Sequence, residues 1–368
     1  MKSTLNKKYS RSSIIKILFV SILLFPYLEV LFWEQRQLIH ILVYSFILIL
    51  LLFNLYQNVL YFGIKSFLAL GFLLYLLALV FYNTVNSQTI HRSTWSLFII
   101  AAFFANMQYR IYARYSISDS EIAWFRALLL LTLAGHILLI VFSNSNYEKL
   151  SVTEINPIPL LSISLAIGIY RKDKMLSLFA ILTTCFSFSF SLQLSTILVF
   201  LSIPITEILT RFKPKYLLGL IAAGSLSYLF AFNSLLKLLL NYSLNFTSDN
   251  VQIRIQMNNF AQSVIDQNPL VGGHLAAPLS LAISRGANTS QLPFHSDIMT
   301  LLVACGALGL FLYLSNIITF FYKEPIDSSH RIFLKVAKVG LISSLLTGVV
   351  NPVFPGYILL FCFALCLI

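Results

Sequence analysis

The chain has 368 residues, 58% of them hydrophobic and only 10% charged, with a mean hydropathy of +0.84. Soluble domains carry about 25% charged residues, so this composition excludes an ordinary water-soluble globule and predicts a polytopic membrane protein. The net charge of +12 could suggest nucleic acid. Its distribution excludes that: with the N-terminus inside, 19 of the 25 Lys and Arg fall on the cytoplasmic side and 6 outside, as the positive-inside rule requires without any polyanion.

A spanning helix needs roughly 20 apolar residues. In chain order, about twelve such runs are predicted, at 14–33, 38–56, 64–82, 94–112, 122–142, 156–170, 175–190, 194–209, 216–232, 297–321, 333–350 and 355–368. The first follows Lys7, Lys8 and Arg11 without a small-residue cleavage site, so it reads as an uncleaved span and not a signal peptide. The expected fold class is all-α: one integral membrane domain over 1–368 with both termini cytoplasmic. Cys185, Cys305, Cys362 and Cys366 all fall in predicted spans and read as small apolar residues, not as a disulfide or metal set.

Most connections are short, such as "RKDK" at 171–174 and "RFKPK" at 211–215 inside, and "SFSLQLST" at 189–196 outside. One differs. About 233–296 is a long loop of mixed polarity, placed outside by the charge argument and expected to be partly helical. "NSLLKLLLNYSL" at 233–244 has apolar residues at helical spacing and is expected to lie along the membrane surface. Val251, Ile255, Phe260 and Ile265 then recur at roughly helical intervals, with Asp249 as N-cap. The Pro/Gly turn "NPLVGG" at 268–273 ends that helix, and an irregular stretch returns the chain to the membrane at His295.

Ionisable groups at a bilayer are costly and default to functional candidates, and they concentrate in this loop. Arg254 lies on the amphipathic helix, His274 follows the double glycine, Arg285 is mid-loop, and His295 with Asp297 opens the next span. Arginine gives a diphosphate paired, charge-assisted hydrogen bonds and cannot deprotonate. A histidine can accept a proton from a sugar hydroxyl near neutral pH. Asp297 is most simply a first-turn acid favoured by the helix dipole, with a second reading as the group that orients His295. His136, within the fifth run, is expected to hydrogen-bond across the bundle. No spacing suggests a metal site, and no cofactor is expected.

The order of Arg254, then Asn268-Pro269-Leu270 with Gly272, then His295, then Gly306, Gly309 and Leu310 resembles the O-antigen polymerase/O-antigen ligase family of bacterial envelopes. The likeness is strongest over about 250–314; elsewhere it extends only to hydropathy and span number. It implies a metal-independent glycosyltransferase of the bacterial inner membrane that uses an undecaprenyl-pyrophosphate-linked glycan as donor. In that family an arginine at the position of Arg254 holds the pyrophosphate, and a histidine at that of His295 activates the acceptor hydroxyl. Many members carry a Ser-Arg pair in the turn that reads Leu192-Gln193 in this chain. Either Gln193 supplies a neutral donor there, or Arg285 or another outer arginine compensates. The resemblance implies a polymerase for O-antigen, capsule or exopolysaccharide, or a ligase passing the glycan to lipid A core. A chain-length regulator and a flippase of the same pathway are the implied partners, together with membrane lipid. A multispan transporter is the reading from another class. Transporters usually invest charge near the bilayer midplane, whereas this chain invests it in an outer loop.

Overall fold

The computed structural model describes residues 16–24 in part, 32–58, 67–90, 95–109, 119–142, 158–191, 194–213, 248–276, 280–285, 288–293, 297–324 and 328–350, with a few isolated positions. Among them the chain is helical apart from one short hairpin. The helices are α1 (Arg36–Asn58), α2 (Phe67–Val85), α3 (Trp95–Tyr109), α4 (Asp119–Phe142), α5 (Ile158–Tyr170), α6 (Lys174–Ser191), α7 (Leu198–Leu209), α8 (Ser248–Gln267), α9 (Asp297–Phe321) and α10 (Ser328–Val350). Hence the predicted runs from 38–56 through 194–209, and those at 297–321 and 333–350, are helices, with ends displaced by at most about one turn and a half. The runs at 216–232 and 355–368, and the segment 233–244, lie outside the described residues or nearly so.

The packing has two groups. α3 is wedged between α1 and α2, and α5 is the hub that meets α6, α7 and α10, with α4 behind α6. α9 joins them, lying against α2 on one side and α10 on the other. Where α2, α3 and α9 meet, Phe72, Phe104 and Tyr313 form an edge-on triangle with centroids 5.6–6.3 Å apart, a geometry favoured by the ring quadrupoles. Polar side chains tie helices at buried points. Ser162 and Ser343 share a 2.8 Å hydrogen bond between α5 and α10. Asn106 of α3 donates to the Leu51 carbonyl of α1 at 3.1 Å. His136 of α4 stands 3.5 Å from the Ser187 hydroxyl of α6, the expected role across the bundle.

Among the described residues one helix, α9, is long and apolar enough to cross a membrane, with a mean hydropathy of 2.1 over its most apolar stretch. At 1.5 Å per residue its 25 residues would reach about 38 Å if straight, and less with the break it carries at Gly306. By the same measure the 13 residues of α5 and the 12 of α7 reach only about 20 and 18 Å. A 3-10 turn, Leu194–Ile197, precedes α7.

The loop is not merely helical and irregular. Ser280–Arg285 (β1) and Asn288–Pro293 (β2) pair antiparallel, with Ser280 opposite Pro293 and Arg285 opposite Asn288. An antiparallel pair of short strands thus stands where an irregular stretch was expected.

Candidate functional site

α8 is amphipathic, and of the expected row Phe260 and Ile265 pack partly buried against the core, with the most buried positions beside them. Met257, Asn258 and Ala261 are buried, with Val264 and Ile265 half-buried against the core. That i, i+1, i+4, i+7 set faces α9, while Ile255 and Phe260 flank it. Asp249 lies one residue inside the helix, which starts at Ser248. Position 254 is four residues before Asn258 and seven before Ala261, in register with the buried row. Of Arg254, the backbone alone is described.

At Gln267 the helix stops, as Pro269 requires, and the turn that follows docks into α9. α9 is broken at Gly306, whose φ of +65° and ψ of −169° are non-helical. In an unbroken helix the N–H of Ala307 would donate to the Val303 carbonyl, and that of Leu308 to the Ala304 carbonyl. The turn takes all four groups. Gly273 N–H donates to Val303 O at 2.7 Å and Leu275 N–H to Ala304 O at 2.8 Å. Ala307 N–H donates to Pro269 O at 2.9 Å and Leu308 N–H to Leu270 O at 3.1 Å. The Cys305 carbonyl, freed by the same break, accepts from the Tyr75 hydroxyl at 2.8 Å. The break therefore leaves these five backbone groups satisfied, which an apolar interior demands.

Both glycines of this joint are required. A Cβ on Gly272 would stand 2.7 Å from Gly306 N and 2.8 Å from Val303 O. One on Gly306 would strike the Leu270 carbonyl and Gly272 N. Gly309 is a close-packing position, with Cys305 and Tyr75 over its Cα, whereas Gly306 is the break itself.

His274 closes the turn. It takes a φ of +52°, and Leu275 beside it +66°, so two consecutive non-glycine residues hold the left-handed region, a conformation kept only where the surroundings impose it. The surroundings are the end of α2. The His274 ring stacks on Tyr82 with centroids 4.7 Å apart, its carbonyl accepts from Asn83 Nδ2, and Leu275 is fully buried. Sequence reasoning passed over Tyr75, Tyr82 and Asn83; the one signal was an amide at the end of an otherwise apolar run.

Asp297 is the first residue of α9, as expected, and its carboxylate rests against the backbone of Gly348 near the end of α10. Arg285 lies on the last pair of β1, beside the hairpin turn. His295 and Gln193 fall outside the described residues. The structure thus joins α8, through the turn of His274, to the interior of α9 around Gly306, and β1 also touches α8. Among the described residues no three His, Cys, Asp or Glu side chains gather as a metal site.

No protein-family model, curated protein or solved structure matches the chain. The chemistry available at this place is therefore read from its own residues. What the described residues establish is a joint whose freed carbonyls and amides are paired, between the helix on which Arg254 lies and α9.

Proposed function

We propose that the protein is a polytopic membrane glycosyltransferase of the bacterial inner membrane, a polysaccharide polymerase that passes an undecaprenyl-pyrophosphate-linked glycan to a hydroxyl of a lipid-linked repeat unit. The observation that carries this reading is the joint. Asn268, Pro269, Leu270, Gly272 and Gly306, which carry the family resemblance, are the residues that lock the Arg254 helix onto the helix that His295 precedes.

The membrane reading draws support from the outer surface. A long apolar helix also passes as the core of a soluble protein, but Phe81, Leu131, Ile49 and Leu42 are 72%, 67%, 64% and 59% exposed. Each such side chain is worth about 1.5–3 kcal/mol when removed from water, and lipid supplies that. About twelve spans, cytoplasmic termini and an outer loop at 233–296 complete the proposal. Charge pairing fits it: Arg126 meets Asp173, and Lys335 meets Glu207 at 3.1 Å, all at the end of the bundle away from the 268–276 turn.

In the proposed reaction the acceptor oxygen forms a bond to the anomeric carbon while the bond from that carbon to the pyrophosphate oxygen breaks. His295 takes the acceptor proton, and Arg254 neutralises charge on the departing diphosphate. Arg285, His274, Gln193 and Asp297 are assigned to the walls of the substrate cleft. Removing either principal group should slow transfer about 100-fold or more. His295→Ala and Arg254→Ala in a deletion host, at matched membrane levels, should give single-repeat capping in place of long chains. Normal glycan ladders from both variants refute the catalytic assignment. Long chains retained on carrier lipid in the deletion host would identify a ligase, and an unchanged profile a transporter.

A further inference from the structure

We propose that Asn83 is a positioning residue: its amide holds the 268–276 turn, and through it the helix of Arg254, at the height the reaction needs. The inference rests on the proposed transferase activity for its catalytic part, but not for its structural part. Asn83 is fully buried near the end of α2, a helix built mostly from Leu, Phe, Tyr, Ala and Val. Its Nδ2 donates to the His274 carbonyl, yet its Oδ1 is buried with no hydrogen-bond partner.

Measured as a stabiliser, this side chain is a poor choice. An unpaired buried acceptor costs as much as, or more than, one neutral hydrogen bond returns, and an apolar side chain of similar volume would avoid that cost. What the amide supplies that leucine cannot is a directed grip on one carbonyl. That carbonyl belongs to His274, at the point where two successive non-glycine residues are held at positive φ. The grip also has leverage. The turn is bonded to both halves of α9 and leads directly out of α8, so a shift of the turn displaces the Arg254 helix and the start of α9 together. Tyr82, stacked on the His274 ring, and Asn83, bonded to the His274 carbonyl, hold the same residue of the turn by two different groups.

Asn83→Leu separates this role from a merely structural one. The full-length protein, in nanodiscs, should nearly keep its Tm, because the loss of the orphaned Oδ1 offsets the donor lost to the His274 carbonyl. Hydrogen exchange over 268–276 should nonetheless accelerate about tenfold, as the amides bonded across to α9 open more often. Turnover with lipid-linked repeat units should fall about 10- to 100-fold, the scale of an ångström-level misplacement. The loss should sit in kcat, with KM for the donor nearly unchanged. Unaltered exchange over 268–276 overturns the inference whatever the chemistry, as does a Tm that falls in step with activity. Should the wild type transfer no glycan, the proposed reaction fails, and the exchange measurement alone still decides whether Asn83 holds the turn.

Discussion

At Gly306 the backbone combines φ +65° with ψ −169°, a region that only glycine occupies readily, at about 1–3 kcal/mol for any other residue. At the same atom, the space a Cβ would need is filled by the Leu270 carbonyl and the Gly272 amide. Neither obstacle is the flexible end of a side chain, so neither moves without breaking the hydrogen bonds of the joint. Gly306→Ala and Gly272→Ala should therefore each cost about 3 kcal/mol or more and lower the Tm of the purified protein by about 5 °C or more. The two sites touch, so the double variant should cost less than the sum. Additive losses would show that the turn and the break are independent. Gly309, by contrast, is a matter of space: a Cβ there meets the Cys305 side chain, and Tyr75 at 3.3 Å.

At the scale of elements, the turn between α5 and α6 shows how a short polar connection is fixed. Asp173 accepts from the Leu176 amide at 3.2 Å, an N-cap for α6, and receives the Arg126 guanidinium from α4. Chiefly that guanidinium bond holds the Asp173 carboxyl below the usual carboxylate range. A depressed folded value means the stabilisation is fully present above about pH 4, the unfolded value, and is lost as pH falls through the folded one. Asp173→Asn keeps the cap but removes the charge, so its Tm should decline less than wild type between pH 5 and 3. Equal slopes would show the pair to be inert. Helices of this kind were legible in the sequence because apolar runs bounded by charge need only one-dimensional information. The interruption of α9 was not: Gly306 sits in an unbroken apolar run, and what allows the break is a turn some 35 residues earlier in the chain. For the site, motif spacing picked out both halves of the joint but not their post on α2. A tyrosine and an asparagine at a helix end look like any interfacial pair until Tyr82 and Asn83 are seen against His274. The hairpin was missed because strand alternation over six residues is weak beside Pro278 and Pro293.

At the scale of the whole molecule, the proposal commits to a direction. α2 and α9 run antiparallel: Tyr82 and Asn83 meet the turn, Tyr75 meets Cys305, and Gly71 faces Leu312. The far end of α9 reaches Lys323, whose carbonyl accepts from Lys338 at 3.3 Å, and the "RKDK" turn is placed at that end by charge. The loop end and the Lys323 end of α9 are thus opposite poles, and the proposed reaction requires the pole carrying 248–293 to meet its donor on the outer leaflet. One residue at each pole permits a direct reading once native cysteines, including exposed Cys185, are replaced. In intact cells a membrane-impermeant thiol reagent should label Ser290→Cys on the hairpin and spare Lys172→Cys, an exposed position; permeabilisation should expose the second. Labelling of Lys172→Cys alone in intact cells would invert the bundle. Arg254 and His295 would then face the cytoplasm, where no flipped lipid-linked glycan arrives, and the joint would have to serve some other chemistry.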